Sequence, residues 1–376
     1  MLAQLHLWLG LSLGALLALV ALSGSAMIFR FELERLFFPA LMHPQSVPGP
    51  VNFDACLNAA RDVNAAKTVR SVRLPAGTNE TFEWLTIPTG EANKVHATYV
   101  YTDPFTCSVL GTRGPKKDVM SFLVGFHHAL FLAKTGAVIQ VVVALAAVTM
   151  VVTGLMLWWP ATWTWSRIRP RARARPLHYA IGFWASLPLL LIAPTGAYMA
   201  WHLEITQALL HEPARHAAAL SGVPKAVAAS APPFSSLNAA IAAARQARPG
   251  AVLRSVTLPQ KAGGTISILY QLPGEYGRAA NNTMTLKSGK DRSVQVMSIN
   301  EASSGTRLQR VLNGLMQVHY GEFAGIGSRL LWCTTGFAPS VLFLSGFLMW
   351  RRRLLSAQIA REAMAERAAL RANAVT

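Results

Sequence analysis

Four stretches of the chain are almost unbroken apolar sequence, and two long stretches between them alternate apolar and polar positions. The apolar runs are Leu5–Phe29, Gly136–Trp159, Leu177–Trp201 and Leu330–Trp350. Each holds the roughly 20 residues that a helix needs to cross a hydrocarbon core, so four transmembrane helices are predicted. The first run contains Ser23-Gly24-Ser25-Ala26, which looks like a signal-peptide cleavage site. No Lys or Arg precedes it and the run is longer than a signal-peptide core, so an uncleaved helix is expected.

The intervening stretches read differently. In the first, Phe53–Asn64 has helical apolar spacing, Thr68–Leu74, Thr81–Ile87 and Ala97–Thr102 alternate as strands do, and Asp103-Pro104 marks a turn. In the second, the series is Phe234–Ala247, Val252–Leu258, Thr265–Leu272 and Ser293–Ile299. Each series predicts a helix on an antiparallel sheet. The expected layout is helix 1 at 1–30, an outer domain at 31–117, an edge segment with helix 2 at 118–160 and an Arg-rich loop at 161–176. Helix 3 follows at 177–202, a second outer domain at 203–310, an edge segment with helix 4 at 311–352 and a tail at 353–376. The fold class is a membrane α-helical protein with two α+β domains outside.

Composition agrees: 52% hydrophobic and 14% charged residues, against about 25% charged in a soluble domain. The net charge of +18 would raise nucleic acid as a partner, but the basic residues lie beside the apolar runs and report topology instead. Arg167, Arg169, Arg171, Arg173 and Arg175 follow helix 2, and Arg351, Arg352 and Arg353 follow helix 4. Those ends, and with them both termini, are expected in the cytoplasm. Trp158, Trp159, Trp163 and Trp165 fit an aromatic belt there. Three cysteines are too few for a disulfide scaffold or a zinc cluster; Cys56 and Cys107 share the first outer stretch, as a bridge or as two thiols.

The halves repeat each other. His6, Gly10 and Ser23-Gly24 are matched 172 residues on by His178, Gly182 and Thr195-Gly196. Arg70-Ser71-Val72-Arg73-Leu74-Pro75 returns 184 residues on as Arg254-Ser255-Val256-Thr257-Leu258-Pro259. His127, Thr153-Gly154 and Trp158 return 192 residues on as His319, Ser345-Gly346 and Trp350. A tandem two-helix repeat with loop insertions accounts for the growing offset, and matched helices then cross the membrane in the same direction, as parallel repeats.

A histidine in or beside a bilayer is a functional candidate by default. His6 and His178 stand at one face, His127 and His319 at or just outside the other. Two neutral imidazoles facing each other in an apolar bundle suit a haem, with one axial nitrogen from each side, so two haems are expected. Gly10 and Gly182, one turn from His6 and His178, would let a porphyrin approach; Gly24 and Gly196 would do so for the second pair. Interfacial anchoring, a proton relay and ordinary helix packing by the glycines stay open. Zinc is less suited, because it wants four donors together. His128 is a spare ligand, His202 matches Arg30 as an interfacial polar residue, and His43, His96, His211 and His216 receive no role.

Leu5-His6-Leu7-Trp8-Leu9-Gly10, Tyr101-Thr102-Asp103-Pro104-Phe105-Thr106, His127-His128-Ala129-Leu130-Phe131-Leu132, Thr153-Gly154-Leu155-Met156-Leu157-Trp158-Trp159-Pro160 and His319-Tyr320-Gly321-Glu322-Phe323 together resemble the PepSY-associated transmembrane family. The resemblance covers nearly the whole chain. It implies an inner-membrane protein of bacterial iron uptake with periplasmic PepSY domains, similar to the haem-containing reductases of ferric siderophores such as ferrioxamine reductase. It also implies haem b ligation by His6, His127, His178 and His319. Cys107 and Ala133 stand where the family has glycine, and the second outer stretch has Lys287-Ser288-Gly289-Lys290 in place of an Asp-Pro turn. The expected function is electron transfer from a quinol or a cytoplasmic reductase to a ferric siderophore outside. The chain shows no flavin or nicotinamide fingerprint, so the donor is separate. Trp84, Tyr99 and Tyr101 are candidates for contact with a chelate or for sheet packing. The alternatives are a non-enzymatic anchor that binds a peptide or partner subunit, and a component of siderophore or iron transport.

Overall fold

The computed structural model describes residues 1–89, 97–114, 118–159, 164–210, 236–260, 263–275, 282–288 and 294–373. His96, His211, His216, Trp163, Gly289 and Lys290 lie outside these, as do the first two residues of the helix expected from Phe234. In chain order the helices are α1 (Leu2–Ile28), α2 (Arg30–Phe37), α3 (Pro39–Met42), α4 (Phe53–Asp62), α5 (Val119–Ala129), α6 (Ala133–Trp158), α7 (Trp165–Ile168), α8 (Ala174–Ala200), α9 (His202–Leu210), α10 (Leu237–Ala247), α11 (Arg307–Tyr320) and α12 (Gly325–Asn373). The strands are β1 (Lys67–Arg73), β2 (Phe82–Pro88), β3 (Thr98–Thr102), β4 (Val109–Arg113), β5 (Val252–Thr257), β6 (Thr265–Gln271), β7 (Asn282–Ser288) and β8 (Val294–Asn300). The chain divides into two compact units.

The helical unit comprises residues Met1–Ile28, Phe126–Ala200 and Leu330–Thr376. Its helices α1, α6, α8 and α12 are, among the described residues, the four long and apolar enough to cross a membrane. The 27 residues of α1 rise about 40 Å, more than the roughly 30 Å of a hydrocarbon core. The four pack in a ring. Gly10 of α1 faces Met150 of α6, and the Trp158 ring of α6 packs at a tilt against Phe183 of α8. Ala185 and Leu189 of α8 bury Ala338 of α12, and Ser25 Oγ of α1 donates to the Cys333 carbonyl of α12. Gly336 is required at that last crossing, where a Cβ would overlap Ser25. The tail expected after Arg353 continues α12 as an exposed helix.

The turn from α5 to α6 is tight. Leu130, Phe131 and Ala133 all take left-handed backbone (φ 48°, 62° and 49°), a region that disfavours residues with a Cβ. Gly136 then lies against the Ala129 carbonyl, leaving no room for a side chain. Gly325, which starts α12 192 residues after Ala133, has φ 66°.

The sheet unit comprises Phe29–Gly125 and Trp201–Arg329. The two expected sheets are one: eight antiparallel strands in the order β4-β3-β2-β1-β5-β6-β7-β8. The join is between β1 and β5, where Val72 pairs with Val256, Ser71 with Thr257 and Arg73 with Ser255. The Leu74 N–H donates to the Arg254 carbonyl and the Leu258 N–H to the Arg70 carbonyl on the two sides of that pair. Helices α4 and α10 share one face of the sheet and one core, with Phe53, Leu57, Val72 and Trp84 packed alongside Leu237, Ile241, Val256 and Ile268. Each helix caps the other. The Asp54 carboxylate accepts from the Leu237 N–H at 2.5 Å, and Asn238 Oδ1 accepts from the Phe53 N–H at 2.8 Å, satisfying end donors that a helix cannot pair internally.

Cys56 of α4 and Cys107 of the β3–β4 turn form a disulfide, which resolves the choice the sequence left open. Asp103 organises the same turn. Its carboxylate accepts from the backbone of Gln45, Ser46, Phe105 and Thr106 and from Ser46 Oγ.

Candidate histidine site in the helical unit

His6 is the fifth residue of α1, and α6 provides its seat. Thr153 Oγ1 donates its own proton to the Thr149 carbonyl at 2.7 Å. It therefore meets His6 Nδ1, 3.0 Å away, as an acceptor. That fixes the imidazole with its proton on Nδ1 and a lone pair on Nε2, the tautomer a metal binds. Gly154, next to Thr153, gives the ring its space: a Cβ there would lie 3.0 Å from His6 Cε1.

His178 of α8 has the same seat in α12. Ser345 Oγ donates to the Val341 carbonyl at 2.6 Å and stands 3.0 Å from His178 Nδ1. A Cβ on Gly346 would lie 3.4 Å from His178 Cε1. Thr153 and Ser345 are both buried, at 4% exposure each, so neither hydroxyl is exchanged for bulk water. One turn along, a Cβ on Gly10 would lie 4.0 Å from Met150 Sδ and one on Gly182 3.7 Å from Leu342 Cδ2, both ordinary contact distances. Met150 and Leu342 are themselves 192 residues apart, as Thr153 and Ser345 are.

The ring of helices brings the two imidazoles together, with ring centroids 6.3 Å apart and planes at 79°. Two neutral imidazoles held this close, each with its Nδ1 taken by a hydroxyl, are a donor pair that could both hold the iron of one haem. Among the described residues no three His, Cys, Asp or Glu side chains converge, so nothing there matches a tetrahedral zinc site.

His127 has a related setting. Its Nδ1 lies 2.9 Å from the Val20 carbonyl and 3.2 Å from Ser23 Oγ, which itself donates to Val20. A Cβ on Gly24 would lie 2.7 Å from His127 Cε1. Gly24 thus admits an imidazole, whereas the sequence reading gave it to a porphyrin. Gln140 Nε2 donates to the His127 carbonyl at 2.7 Å and holds the end of α5. Gln140 was missed as a site residue, although it is a lone amide in an apolar run. His319 is the penultimate residue of α11 and belongs to the sheet unit. Gly196 follows the buried Thr195 in α8. His128 packs against the His127 ring.

In the sheet unit, Trp84 and Tyr101 are fully buried. Trp84 Nε1 donates to Thr102 Oγ1 and the Tyr101 hydroxyl to Glu83 Oε2. Burial and the Glu83 carboxylate push the Tyr101 phenol far up. Tyr99 is half-buried against Leu85, Ile87 and Ala97. All three pack the sheet. The sequence reading also missed a buried charge cluster. Glu34 of α2, 1% exposed, accepts from Arg30 and from Arg113 of β4, and Arg113 also pairs with Asp118. It anchors α2 to the sheet.

The model of one protein family, described as the PepSY-associated TM region, matches residues 3–353. A search of curated proteins finds no match.

Proposed function

This chain belongs to the PepSY-associated TM family, and from that premise we propose that it is a b-type haem protein of the bacterial inner membrane that reduces a ferric siderophore in the periplasm. The observation that carries the reading is the facing pair His6 and His178, each seated on a hydroxyl and a glycine. Haem bound there would supply reversible one-electron transfer within the bilayer. The chain's own residues would do the rest. Thr153 and Ser345 hold the imidazoles in the ligating tautomer, Gly154 and Gly346 let the rings sit against the helices, and the apolar lining keeps water out. His127, whose ring Gly24 admits against α1, is proposed as a ligand of a second haem.

The proposed orientation puts both termini and the arginines at Arg171–Arg175 and Arg351–Arg353 in the cytoplasm. The sheet unit is then periplasmic, a compartment that supports the Cys56–Cys107 disulfide. The matched seats and the Val72–Val256 pairing support a tandem duplication. The substrate is Fe(III) held by hard oxygen donors, which hold Fe(II) far less well, so delivery of one electron releases the iron. The electron comes from a quinol or a cytoplasmic reductase.

Spectra test this. Protein purified from haem-replete cells should be red, with a reduced-minus-oxidised b-type spectrum. His6→Ala or His178→Ala should remove one haem, and His127→Ala the other. A colourless preparation would favour a PepSY anchor for a peptide or partner, or a transport component. Loss of all haem from any single change would contradict two sites.

A further inference from the structure

The two halves of the sheet match strand for strand, yet they treat one place differently. In the first half Val69 pairs with Thr86 and Thr86 with Thr98. In the second, Leu253 pairs with Tyr270 and Tyr270 with Asn282, each residue 184 positions later. Thr86 and Tyr270 thus occupy the same place in the frame, just past the C-terminal end of a core helix.

In the second half that place is filled. The Tyr270 ring is fully buried, and its hydroxyl donates to Glu301 Oε1 at 3.1 Å. Arg248, which follows α10, donates from Nε to the same carboxylate oxygen at 2.6 Å. In the first half Thr86 replaces the ring and Asn64 stands in the place of Arg248. What remains is a cavity of about 300 Å³, with Val100 on its floor and Asn64, Lys67, Thr86, Thr98 and Thr112 around it. That volume is at the lower end of small-molecule sites. The cavity reaches the surface, since Asn64 and Thr112 are exposed while Thr86 and Val100 are buried.

We propose that this cavity binds a small aromatic carboxylate, a single ring of hydroxybenzoate type, in the space that the Tyr270 side chain fills in the other half. The ring would lie on Val100 as the Tyr270 ring lies in its own core. The Lys67 ammonium, which donates to Thr98 Oγ1, supplies the charge that a carboxylate requires. The Thr112 hydroxyl and the Asn64 amide offer hydrogen bonds at the mouth. The site lies within the sheet unit and does not depend on the haem reading.

The test uses the full-length protein in nanodiscs, titrated with 4-hydroxybenzoate by calorimetry and by ligand-observed NMR. Saturable 1:1 binding is expected, with Kd on the order of 1 mM or tighter for a ligand of this size. Thr86→Tyr, which rebuilds the plug, should weaken it at least tenfold at an unchanged melting temperature. Should Thr86→Tyr fail to fold, Lys67→Gln serves. It should weaken 4-hydroxybenzoate about tenfold and leave benzyl alcohol, the uncharged probe, unaffected. Absence of saturation, unchanged binding by a folded Thr86→Tyr variant, or binding of inorganic phosphate in place of the aromatic acid would overturn the proposal.

Discussion

Replacing Thr153 by Val keeps the shape of the side chain and removes the oxygen that His6 Nδ1–H donates to at 3.0 Å. The seat is buried, with Thr153 4% exposed, so the imidazole N–H would lose its hydroxyl partner without gaining water, with only the Met150 carbonyl left to it. A buried donor left poorly satisfied costs about 1–3 kcal/mol. That equals about a 5- to 150-fold loss, in line with the 10- to 100-fold loss of affinity typical when a partner of a metal-ligating histidine is removed. The expected result is a folded protein that surrenders one haem to apomyoglobin about 10- to 100-fold more readily than the parent. Ser345→Ala should do the same at His178, and Thr153→Ser, which keeps the hydroxyl, should behave as the parent. Haem per protein, measured as the pyridine haemochrome after timed competition, reads all of these. If Thr153→Val kept its haem as firmly as the parent while His6→Ala lost it, the hydroxyl would not be setting the imidazole, and the reasoning would fail.

Three further outcomes follow from the fold. Ala133→Gly should raise stability by about 0.5–1 kcal/mol in a thermal-shift assay. It relieves left-handed strain of about 1–2 kcal/mol, offset by the entropy glycine loses on folding, and Gly325 already holds the matching position with φ 66°; no gain would mean the turn is not strained. Cys56→Ser with Cys107→Ser should lower the stability of the sheet unit by up to about 4 kcal/mol, the chain-entropy value for a bridge spanning a separation of 51 residues, seen as a lower melting temperature under non-reducing conditions only. For Asp103, burial works against the carboxylate, but the donors Ser46, Phe105, Gln45 and Thr106 outweigh it and hold the pKa below the usual range. The folded pKa is depressed, so this stabilisation is complete above the ordinary carboxylate pKa of about 3.9 and is lost as pH falls through the lower folded value. Asp103→Asn should flatten that acid limb of the melting-temperature profile.

Much of this was legible in the sequence because bilayers and repeats leave long signals. The apolar runs placed both ends of α1, α6 and α8 and the start of α12 to within a few residues, while α12 runs on past Trp350 to Asn373, and α4, β1, β2 and β3 emerged from period alone. β4 was missed because Val109–Arg113 is a short edge strand with a glycine at its centre. β7 was missed although Met284 and Leu286 alternate with polar neighbours. Lys287 and Ser288, which stand at the place of the first half's Asp-Pro turn, end that strand. Spacing also showed Thr153-Gly154 and Ser345-Gly346 as landmarks of duplication. It did not show that they seat His6 and His178, since which turn of one helix meets which turn of another is fixed by packing. The sharing of one sheet by the two outer stretches was equally invisible, because pairing between β1 and β5 depends on how the edges meet.

The β1–β5 seam has a consequence for assembly. Val72 lies opposite Val256, and the residues on either side of each exchange places across the pair. The edge of one half is therefore complementary to an edge of its own kind. A chain carrying only one half would expose that edge, as an unpaired strand invites a partner, and two such chains would close it isologously, as a twofold homodimer does. The peptide link between the halves is then a matter of economy: two separately translated half-chains should reassemble the eight-stranded sheet without it.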